Sequence, residues 1–404
     1  MRQNLLAASL LTAASLSWGQ AGAATLTRLS DLSGSSGNIA VDPAGNIYGA
    51  SWAGQNKYPG TVWELSPPAA GQTAWTETTL WTLASERSGL GPQGGIIRDQ
   101  QGNLYGTALT GKGDSQCGTV FQLHKGAALK WAHRILWTFK GGTIDGCNPD
   151  AALVMDSSGA LYGTTLGGGS SVYNGTVFKL SPPVAGSTQW TESLLWSFNG
   201  NSNGGSPATR MVFDAAGNLY GATYGGGAGQ AGTVWELMPP AAGQTAWSFQ
   251  LLWSFSQTEC FGPTRGPLVM DQSGALYGTC GKGGSKFLGV VFKLAPPEAG
   301  GTAWTESTLW DFTGKGGQWP TSGVSFVPGG ALIGATRDAK YGTVFELLPP
   351  AAGQTEWRER VLFHFDGTDG ADPQSPLLSL GDGAILGTTQ GNRWGAGAVW
   401  ELTP

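Results

Sequence analysis

The chain has 404 residues with a formal net charge of −5, and only 12% of its residues are charged. It offers no basic stripe to neutralise phosphates and no polybasic segment for anionic lipid, which excludes nucleic acid and membrane surfaces as expected partners. Glycine accounts for 67 residues, but it recurs at fixed positions between aromatic strand-like runs, which excludes a disordered chain.

The first 23 residues have the organisation of a secretory signal peptide. Arg2 gives a positive start, Leu5–Leu16 is an apolar run, and Ala21-Gly22-Ala23 is a small-residue cleavage site. An uncleaved membrane anchor is the alternative, but the run is short and contains Ser and Thr, and no later stretch is long enough to span a bilayer. We expect residues 24–404 to form one exported domain in the periplasm, at the cell surface or in the medium.

A unit of four strand-like runs then recurs seven times. In its second copy the runs, named a to d, are Gly95–Asp99, Asn103–Ala108, Gly118–Leu123 and Trp131–Phe139. Each is short, rich in β-branched and aromatic residues, and bounded by Gly, Pro, Asn or Asp, which is typical of strands. The marker of strand c is G-T-V-aromatic-x-L with small departures, which returns every 53 to 58 residues at Gly60, Gly118, Gly175, Gly232, Gly289, Gly342 and Gly397.

Turn residues separate these strands. Between a and b the sequence is Asp-x-x-Gly-Asn/Ala, as at Asp42–Asn46, where Asp can bond nearby backbone and Gly accepts a positive φ. Between c and d lies Pro-Pro-Ala-Ala-Gly-Gln-Thr-Ala-Trp, at Pro67–Trp75 and again at Pro239–Trp247. Two prolines end a strand because they cannot donate to its ladder.

Four antiparallel strands repeated seven times predict an all-β protein, a seven-bladed β-propeller. A solenoid is the alternative for such periodicity, but it needs polar caps at both ends. Here the last repeat stops at Leu402 after strand c, and Thr25–Leu32 resembles a strand d without its partners. We expect the N-terminal strand to complete the last blade beside Val399–Leu402, which closes the ring and removes exposed edges.

The four cysteines fall on one side of such a ring. The b–c and d–a loops emerge on what we call the top face, and the a–b and c–d loops on the bottom face. Cys117 and Cys147 lie in consecutive top loops, and Cys260 and Cys280 lie close together in the fifth repeat. The local pairing predicts disulfides Cys117–Cys147 and Cys260–Cys280, in keeping with export. A zinc site is the alternative, although no C-x-x-C spacing occurs.

The units resemble a known repeat family. The run F-x-G-x-x-D/N-G-x-x-P, an apolar strand, G-N-L-Y-G-T-T, a glycine-rich loop and G-T-V-F-x-L resembles the GloVer-type tandem repeat of exported bacterial proteins, over essentially the whole mature chain. One copy reads from Phe139 through Pro149 and Gly159–Thr165 to Gly175–Leu180. Strands a and b are also similar to NHL-type propeller repeats. The resemblance implies an exported repeat protein and brings no catalytic residue with it. Departures from the repeat, such as Ile333 and Leu386 for Tyr, indicate only drift.

Positions that differ between repeats are the candidates for ligand binding, because structure alone requires those that repeat. The residues directly after strand b should ring the axis on the top face. Arg210 is the one charge at its position in strand a, where it either pairs with a carboxylate or is offered to a ligand. Trp319 and Trp394 lie in top loops, whereas the strand-d tryptophans repeat and should wedge between blades. The residues directly after strand b are Trp52, Leu109, Leu166, Tyr224, Gly281, Arg337 and Gln390.

Carboxylates on the top face are the candidates for chemistry. Asp145 and Asp369 align in the d–a loop, and Asp150 and Asp372 follow them closely. Such groups could serve a glycosidase or lyase, or bind Ca²⁺, but their spacing selects neither, and Asp-Gly is also a turn signal. The three histidines lie in strands c and d, which predicts no Ser-His-Asp arrangement.

Two functions remain open from the sequence. The first is a binding protein without cofactor or metal, a monomeric disc that presents its variable top face to a glycan, a peptide or a surface partner. The second is an extracellular hydrolase or lyase that acts on polysaccharide through top-face carboxylates and Arg210. A purely structural repeat is a third possibility, since one fold serves many functions. The candidate ligand-binding residues are Arg210, Trp52, Tyr224, Arg337, Gln390, Trp394, Trp319, Asp145 and Asp369.

Overall fold

The structure is a computed structural model that describes residues 24–32, 37–52, 60–83, 89–111, 117–126, 130–170, 173–264, 266–338, 340–391 and 397–403. These residues form an all-β fold in which seven antiparallel sheets are arranged in a ring, the predicted seven-bladed propeller. Within them there is no helix of the length and hydrophobicity needed to cross a membrane. The predicted signal peptide lies outside the described residues.

Each blade has the strand order a-b-c-d from the axis outward, and blades 3 to 5 carry short extra strands. Blade 1 contains β2 (Ala40–Val41), β3 (Ile47–Ser51), β4 (Gly60–Ser66) and β5 (Thr76–Leu83), and blade 2 contains β6 (Ile96–Arg98), β7 (Leu104–Ala108), β8 (Thr119–Lys125) and β9 (Trp131–Thr138). Blade 3 contains β11 (Val154–Met155), β12 (Leu161–Thr165), β14 (Thr176–Ser181) and β15 (Thr191–Ser197), with a ribbon of β10 (Gly146–Cys147) and β13 (Gly167–Gly168).

The remaining blades repeat this pattern. Blade 4 contains β16 (Gly205–Pro207), β17 (Val212–Phe213), β18 (Leu219–Gly225), β19 (Thr233–Met238) and β20 (Ser248–Ser254). Blade 5 contains β21 (Phe261–Pro263), β22 (Val269–Met270), β23 (Leu276–Lys282), β24 (Val290–Ala295) and β25 (Thr305–Asp311). Blade 6 contains β26 (Val324–Phe326), β27 (Leu332–Thr336), β28 (Thr343–Leu348) and β29 (Arg358–His364). Blade 7 contains β30 (Leu378–Ser379), β31 (Ile385–Thr389), β32 (Ala398–Thr403) and β1 (Thr25–Ser30).

The N-terminal strand closes the ring, as the termini predict. β1 pairs antiparallel with β32, with Leu26 opposite Leu402 and Arg28 opposite Trp400. Leu402 and Trp400 are fully buried. Blade 7 therefore takes its outer strand from the beginning of the described chain, and strand c of that blade has no free edge.

Inside every blade, an aromatic ring of strand c lies over a glycine of strand b. A Cβ placed on Gly221 would lie 2.3 Å from a ring carbon of Trp235, and one on Gly278 would lie 2.6 Å from the ring of Phe292. No side chain larger than hydrogen fits there, so the second glycine of the G-N-L-Y-G marker is required by packing, whereas the first, such as Gly217 with a φ of 87°, lies in the a–b turn. The same pairs are Gly49–Trp63, Gly106–Phe121, Gly163–Phe178, Gly334–Phe345 and Gly387–Trp400.

Between blades, tryptophans at the start of strand d pack against the tyrosine of the preceding blade. Trp247 of blade 4 meets Tyr162 of blade 3 with ring centroids 6.2 Å apart, and Trp304 of blade 5 meets Tyr220 of blade 4 at 6.3 Å. The buried clusters accordingly combine residues of neighbouring blades. These repeated tryptophans are part of the core, as expected for wedges between blades.

A funnel on the top face as candidate binding site

A funnel of about 1170 Å³ opens around the axis on the top face, and all seven blades contribute to its wall. The residue predicted to follow strand b lines it in every blade, although Tyr224 and Gly281 lie inside the longer strands β18 and β23. The structure thus brings together Trp52, Tyr224, Arg337 and Gln390 from four different blades. Leu109, Leu166 and Gly281 complete the set.

A second row of residues, in the d–a loops, holds this set in position. In four described blades the backbone N–H of the residue after strand b donates to the carbonyl of a loop residue with positive φ, each at 3.0 Å. These bonds fix the direction in which the funnel residues project. The pairs are Leu109 with Gly91, Leu166 with Asn148, Arg337 with Trp319, and Gln390 with Asp372; at the same place Ser206 lies opposite Tyr224, and Gly262 opposite Gly281.

Residues of the two rows also fit one another in size or charge where neighbouring blades meet. A Cβ on Gly91 would lie 3.0 Å from Trp52 Nε1 of the preceding blade, and one on Gly262 would lie 2.6 Å from the ring of Tyr224. Where the preceding blade offers Arg337, the loop residue is Asp372, and the two form an ion pair with Nε and Oδ1 2.9 Å apart. Large side chains thus lie over glycines, and a cation meets an anion.

This second row is the part of the site that the sequence analysis missed. Its members are the residues before a proline that recurs in the d–a loop, as in Asn148-Pro149 and Trp319-Pro320. The proline is visible in the repeat, but nothing in the sequence states that the residue before it adopts a φ of 54° to 71°. Ser206, Trp319 and Asp372 hold this conformation without being glycine, which is a source of backbone strain.

One side of the funnel is a polar network of Arg337, Asp372, Gln374 and Gln390. Besides its ion pair with Arg337, the buried Asp372 accepts a hydrogen bond from Gln374 Nε2 at 2.9 Å, and Gln374 Nε2 also donates to Gln390 Oε1 at 2.8 Å. Burial raises the pKa of Asp372, and the Arg337 charge and the Gln374 bond oppose that rise. The cation of Arg337 is therefore already neutralised by the protein.

Arg210 lies on another side of the funnel, in blade 4, and has no such partner among the described residues. Its side chain lines the wall, its Nε is buried without a hydrogen bond, and within the described residues it forms no ion pair. Burial lowers the pKa of Arg210, but a guanidinium remains protonated in proteins, so the charge stays. Of the two outcomes that the sequence left open for Arg210, pairing with a carboxylate is not found among these residues.

Aromatic residues concentrate near the mouth. Tyr224 is 51% exposed and meets Phe261 edge to face with centroids 6.3 Å apart; Phe261 in turn lies 6.2 Å from Phe287. Trp52 and Trp319 also line the funnel. Trp394, the remaining predicted aromatic, lies outside the described residues.

Asp145 and Asp369 do not join this set. Asp145 is buried in its loop, where it accepts the backbone N–H groups of Lys140 and Gly146, and burial raises its pKa. Asp369 accepts the N–H of Asp366 at 3.0 Å. Neither is among the described residues of the funnel wall, and both make the turn contacts that were the alternative for them. Asp150, by contrast, is a buried carboxylate in the wall.

Both predicted disulfides are formed. Cys117 is bonded to Cys147, with Cα atoms 4.3 Å apart, and Cys260 to Cys280, with Cα atoms 5.4 Å apart. The first joins the b–c loop of blade 2 to the segment that enters blade 3, and the second joins the loop that enters blade 5 to strand b of the same blade, β23. These thiols are therefore not the zinc ligands of the alternative.

The model of the Gloeobacter/Verrucomicrobia repeat matches residues 20–191 and 174–400 of the chain. No curated protein matches the sequence. Solved structures with a similar fold share little sequence identity with this chain, so the similarity shows the fold alone. A protein from Lactobacillus plantarum shares 13% identity with a TM-score of 0.53, covering 85% of this chain and 89% of that one.

Two further structures extend this comparison. PorZ of Porphyromonas gingivalis, described as a bacterial surface component of the type-IX secretion system, has 15% identity and a TM-score of 0.50, covering 90% of this chain and 46% of PorZ. A putative oxidoreductase (glucose dehydrogenase) of Thermus thermophilus has 13% identity and a TM-score of 0.45, covering 94% of this chain and 99% of that one.

Proposed function

The chain belongs to the Gloeobacter/Verrucomicrobia repeat family, and from that premise we propose that it is an exported binding protein whose top-face funnel takes a glycan. The observation that carries the proposal is the convergence of seven non-repeating residues, one from each blade, on a single cavity. Because the fold requires none of their side chains in particular, their variety is available for recognition. The two disulfides support export, since such bonds persist in oxidising compartments.

The composition of the wall favours a sugar as the ligand. Trp52, Tyr224 and Trp319 offer apolar ring faces. The side-chain amide of Asn38 can donate and accept hydrogen bonds, and Gln374 Oε1 can accept them. A sugar presents both surfaces at once, an apolar ring face and a rim of hydroxyls. A concave, partly aromatic cavity with a few convergent polar groups is also the usual form of a small-molecule site.

The alternative, a polysaccharide hydrolase or lyase, depended on paired carboxylates at the mouth. Asp145 and Asp369 were the aligned candidates, and both are occupied by backbone N–H groups in their own loops. Binding without turnover is therefore the better proposal for this funnel. Incubation of each bound oligosaccharide with the protein tests it directly, because product formation would replace binding by catalysis.

A pair of tyrosine variants tests the location of the site. We expect the exported protein to bind one class of oligosaccharide on a glycan array, and Tyr224→Ala to weaken that binding about tenfold by removing an aromatic anchor. Tyr173→Ala is the matched control, because Tyr173 is 83% exposed in the b–c loop of blade 3 and does not line the funnel. Equal effects of the two variants, or binding of peptides and of no sugar, would contradict the proposal.

A further inference from the structure

We infer that the sugar bound in the funnel carries an acidic group, a carboxylate or a sulfate, and that Arg210 is the residue that recognises it. The inference rests on the proposed function, since it names the class of glycan for the same cavity. It follows from what surrounds Arg210 and from what the other charges of the wall already do.

Arg210 is the one charged residue at its aligned position in strand a. The residues at the same position of strand a are Asn38, Gly95, Ala152, Pro267, Gly323 and Pro376, which are all uncharged. Their backbones approach one another closely: Asn38 bridges Gly95 of the next blade, and Leu268 N donates to Arg210 O at 3.3 Å. Arg210 therefore starts from backbone that contacts the next blade, and its side chain lines the cavity.

Carboxylates do reach the same wall, but they do not pair with Arg210. Asp338 Oδ1 accepts the backbone N–H groups of Lys340, Tyr341 and Gly342 at 2.8 to 3.0 Å. Asp372 is taken by Arg337 and Gln374. Asp150 forms no ion pair with Arg210 in the part of the chain that the structure describes. A mostly buried charge without a counter-charge is costly for the fold, so a ligand anion would supply what the protein leaves out.

The chemistry of the guanidinium narrows the ligand further. Its planar fork matches the two oxygens of a carboxylate and, equally, two oxygens of a sulfate ester. Tyr224 lies on the same blade, in β18, and lines the same cavity, so a sugar ring against Tyr224 would belong to the same ligand. The exposed amine of Lys282, on the wall of blade 5, adds positive charge on the side of Arg210.

The test uses probes that differ only in the acidic group. Calorimetric titration of the exported protein with tetragalacturonate, with its carboxyl-reduced tetrasaccharide and with a sulfated galactan tetrasaccharide separates carboxylate, neutral and sulfate ligands. We expect at least one acidic probe to bind, the reduced probe to bind about tenfold to hundredfold more weakly, and Arg210→Gln to lose the same factor for the acidic probe alone. Arg210→Lys should retain part of the preference, and binding should weaken with added salt.

Arg98→Gln is the matched control, because Arg98 lies on strand a of blade 2 and donates to the carbonyl of Asp99 outside the funnel. The Arg98→Gln variant should bind each tetrasaccharide as tightly as the unaltered chain does. Equal affinity for acidic and reduced probes, or an unchanged preference in both Arg210 variants, would overturn the inference while the proposed function stands. Failure of every sugar probe, including the neutral one, would instead remove the proposed function. If Arg210→Gln does not fold, the reduced probe and the salt dependence of the unaltered chain decide the matter.

Discussion

The bottom and top faces of the propeller differ in what recurs from blade to blade. Side-chain contacts recur on the bottom face, whereas backbone bonds recur on the top face. On the bottom face, five blades use the same contact: an Asp side chain accepts backbone N–H groups of the a–b turn and the hydroxyl of a Tyr in strand b. Asp42 with Tyr48 and Asp271 with Tyr277 are two examples. On the top face, the backbone pairing between rows is conserved from blade to blade, but the side chains at its two ends differ each time.

Blades 6 and 7 show that the bottom contact changes as a unit. Where Ile333 replaces the tyrosine, Val327 replaces the aspartate, and the two belong to one buried cluster. Leu386 and Leu380 make the corresponding replacement in blade 7. In the sequence alone Ile333 and Leu386 indicate only drift, but each is one half of an exchange of a hydrogen-bonded pair for an apolar pair. An unpartnered Asp beside Ile would be a buried acceptor without a donor, which is costly.

The largest expected effect tests the part of the blade that repeats. Trp235→Ala removes a fully buried ring that lies over Gly221, so we expect a loss of about 3–5 kcal/mol in the free energy of unfolding. Trp52→Ala removes a tryptophan of the funnel wall and should cost about 1 kcal/mol or less. Urea unfolding monitored by circular dichroism measures both. Similar losses in the two variants would contradict the division between a fold-bearing interior and a variable top face.

Two disulfides link segments of the top face covalently. Removing Cys117–Cys147 with the double variant Cys117→Ser/Cys147→Ser opens a loop with a sequence separation of 30 and should cost about 3 kcal/mol by loop-closure entropy. The corresponding variant at Cys260 and Cys280, with a separation of 20, serves as the comparison and should cost slightly less. Stabilities that do not change in either variant would show that the top loops are held by their backbone pairs alone.

The sequence predicts best the features that are marked in every repeat. The ring, its closure by Thr25–Leu32, both disulfides and the set of residues after strand b follow from repeated markers and the two incomplete ends. The row before the proline could not be predicted, because a positive φ at Trp319 or Asp372 has no local sequence signal. The role of the strand-b glycine could not be predicted either, since the aromatic ring that requires it lies on another strand.

A moderate effect is expected from a single bottom-face contact. Burial alone would raise the pKa of Asp271, but hydrogen bonds from Ser273, Tyr277 and the Ala275 backbone outweigh it, so the pKa is lowered from its ordinary value of 3.8. Asp271→Asn should therefore cost about 1–2 kcal/mol at pH 7. A lowered folded-state pKa contributes stability that is present above the unfolded-state value and is lost as the pH falls through the folded-state value.

The difference between Asp271→Asn and the unaltered chain should accordingly shrink as the pH falls below about 4. Urea unfolding at pH 7 and at pH 3 measures it. Asp382→Asn is the control, because Asp382 lies in the turn of blade 7 that lacks this contact and accepts only the Ala384 N–H, at 3.0 Å. A loss at Asp271 that is independent of pH would refute the assignment to the ionised carboxylate.

The smallest effect on stability is expected at the Arg337–Asp372 ion pair, whose side chains belong to the variable top face. Arg337 is 53% exposed, so a double-mutant cycle with Arg337→Gln and Asp372→Asn should give a coupling energy below about 1 kcal/mol. Asn tolerates the positive φ of Asp372, so Asp372→Asn removes the charge and keeps the backbone. It also leaves Arg337 in the funnel without the carboxylate that neutralises it. An acidic tetrasaccharide should then bind about two- to fivefold more tightly at low salt, whereas the reduced tetrasaccharide should bind unchanged. A variant that altered stability strongly and binding not at all would mean that the top-face pairs, like those below, exist for the fold.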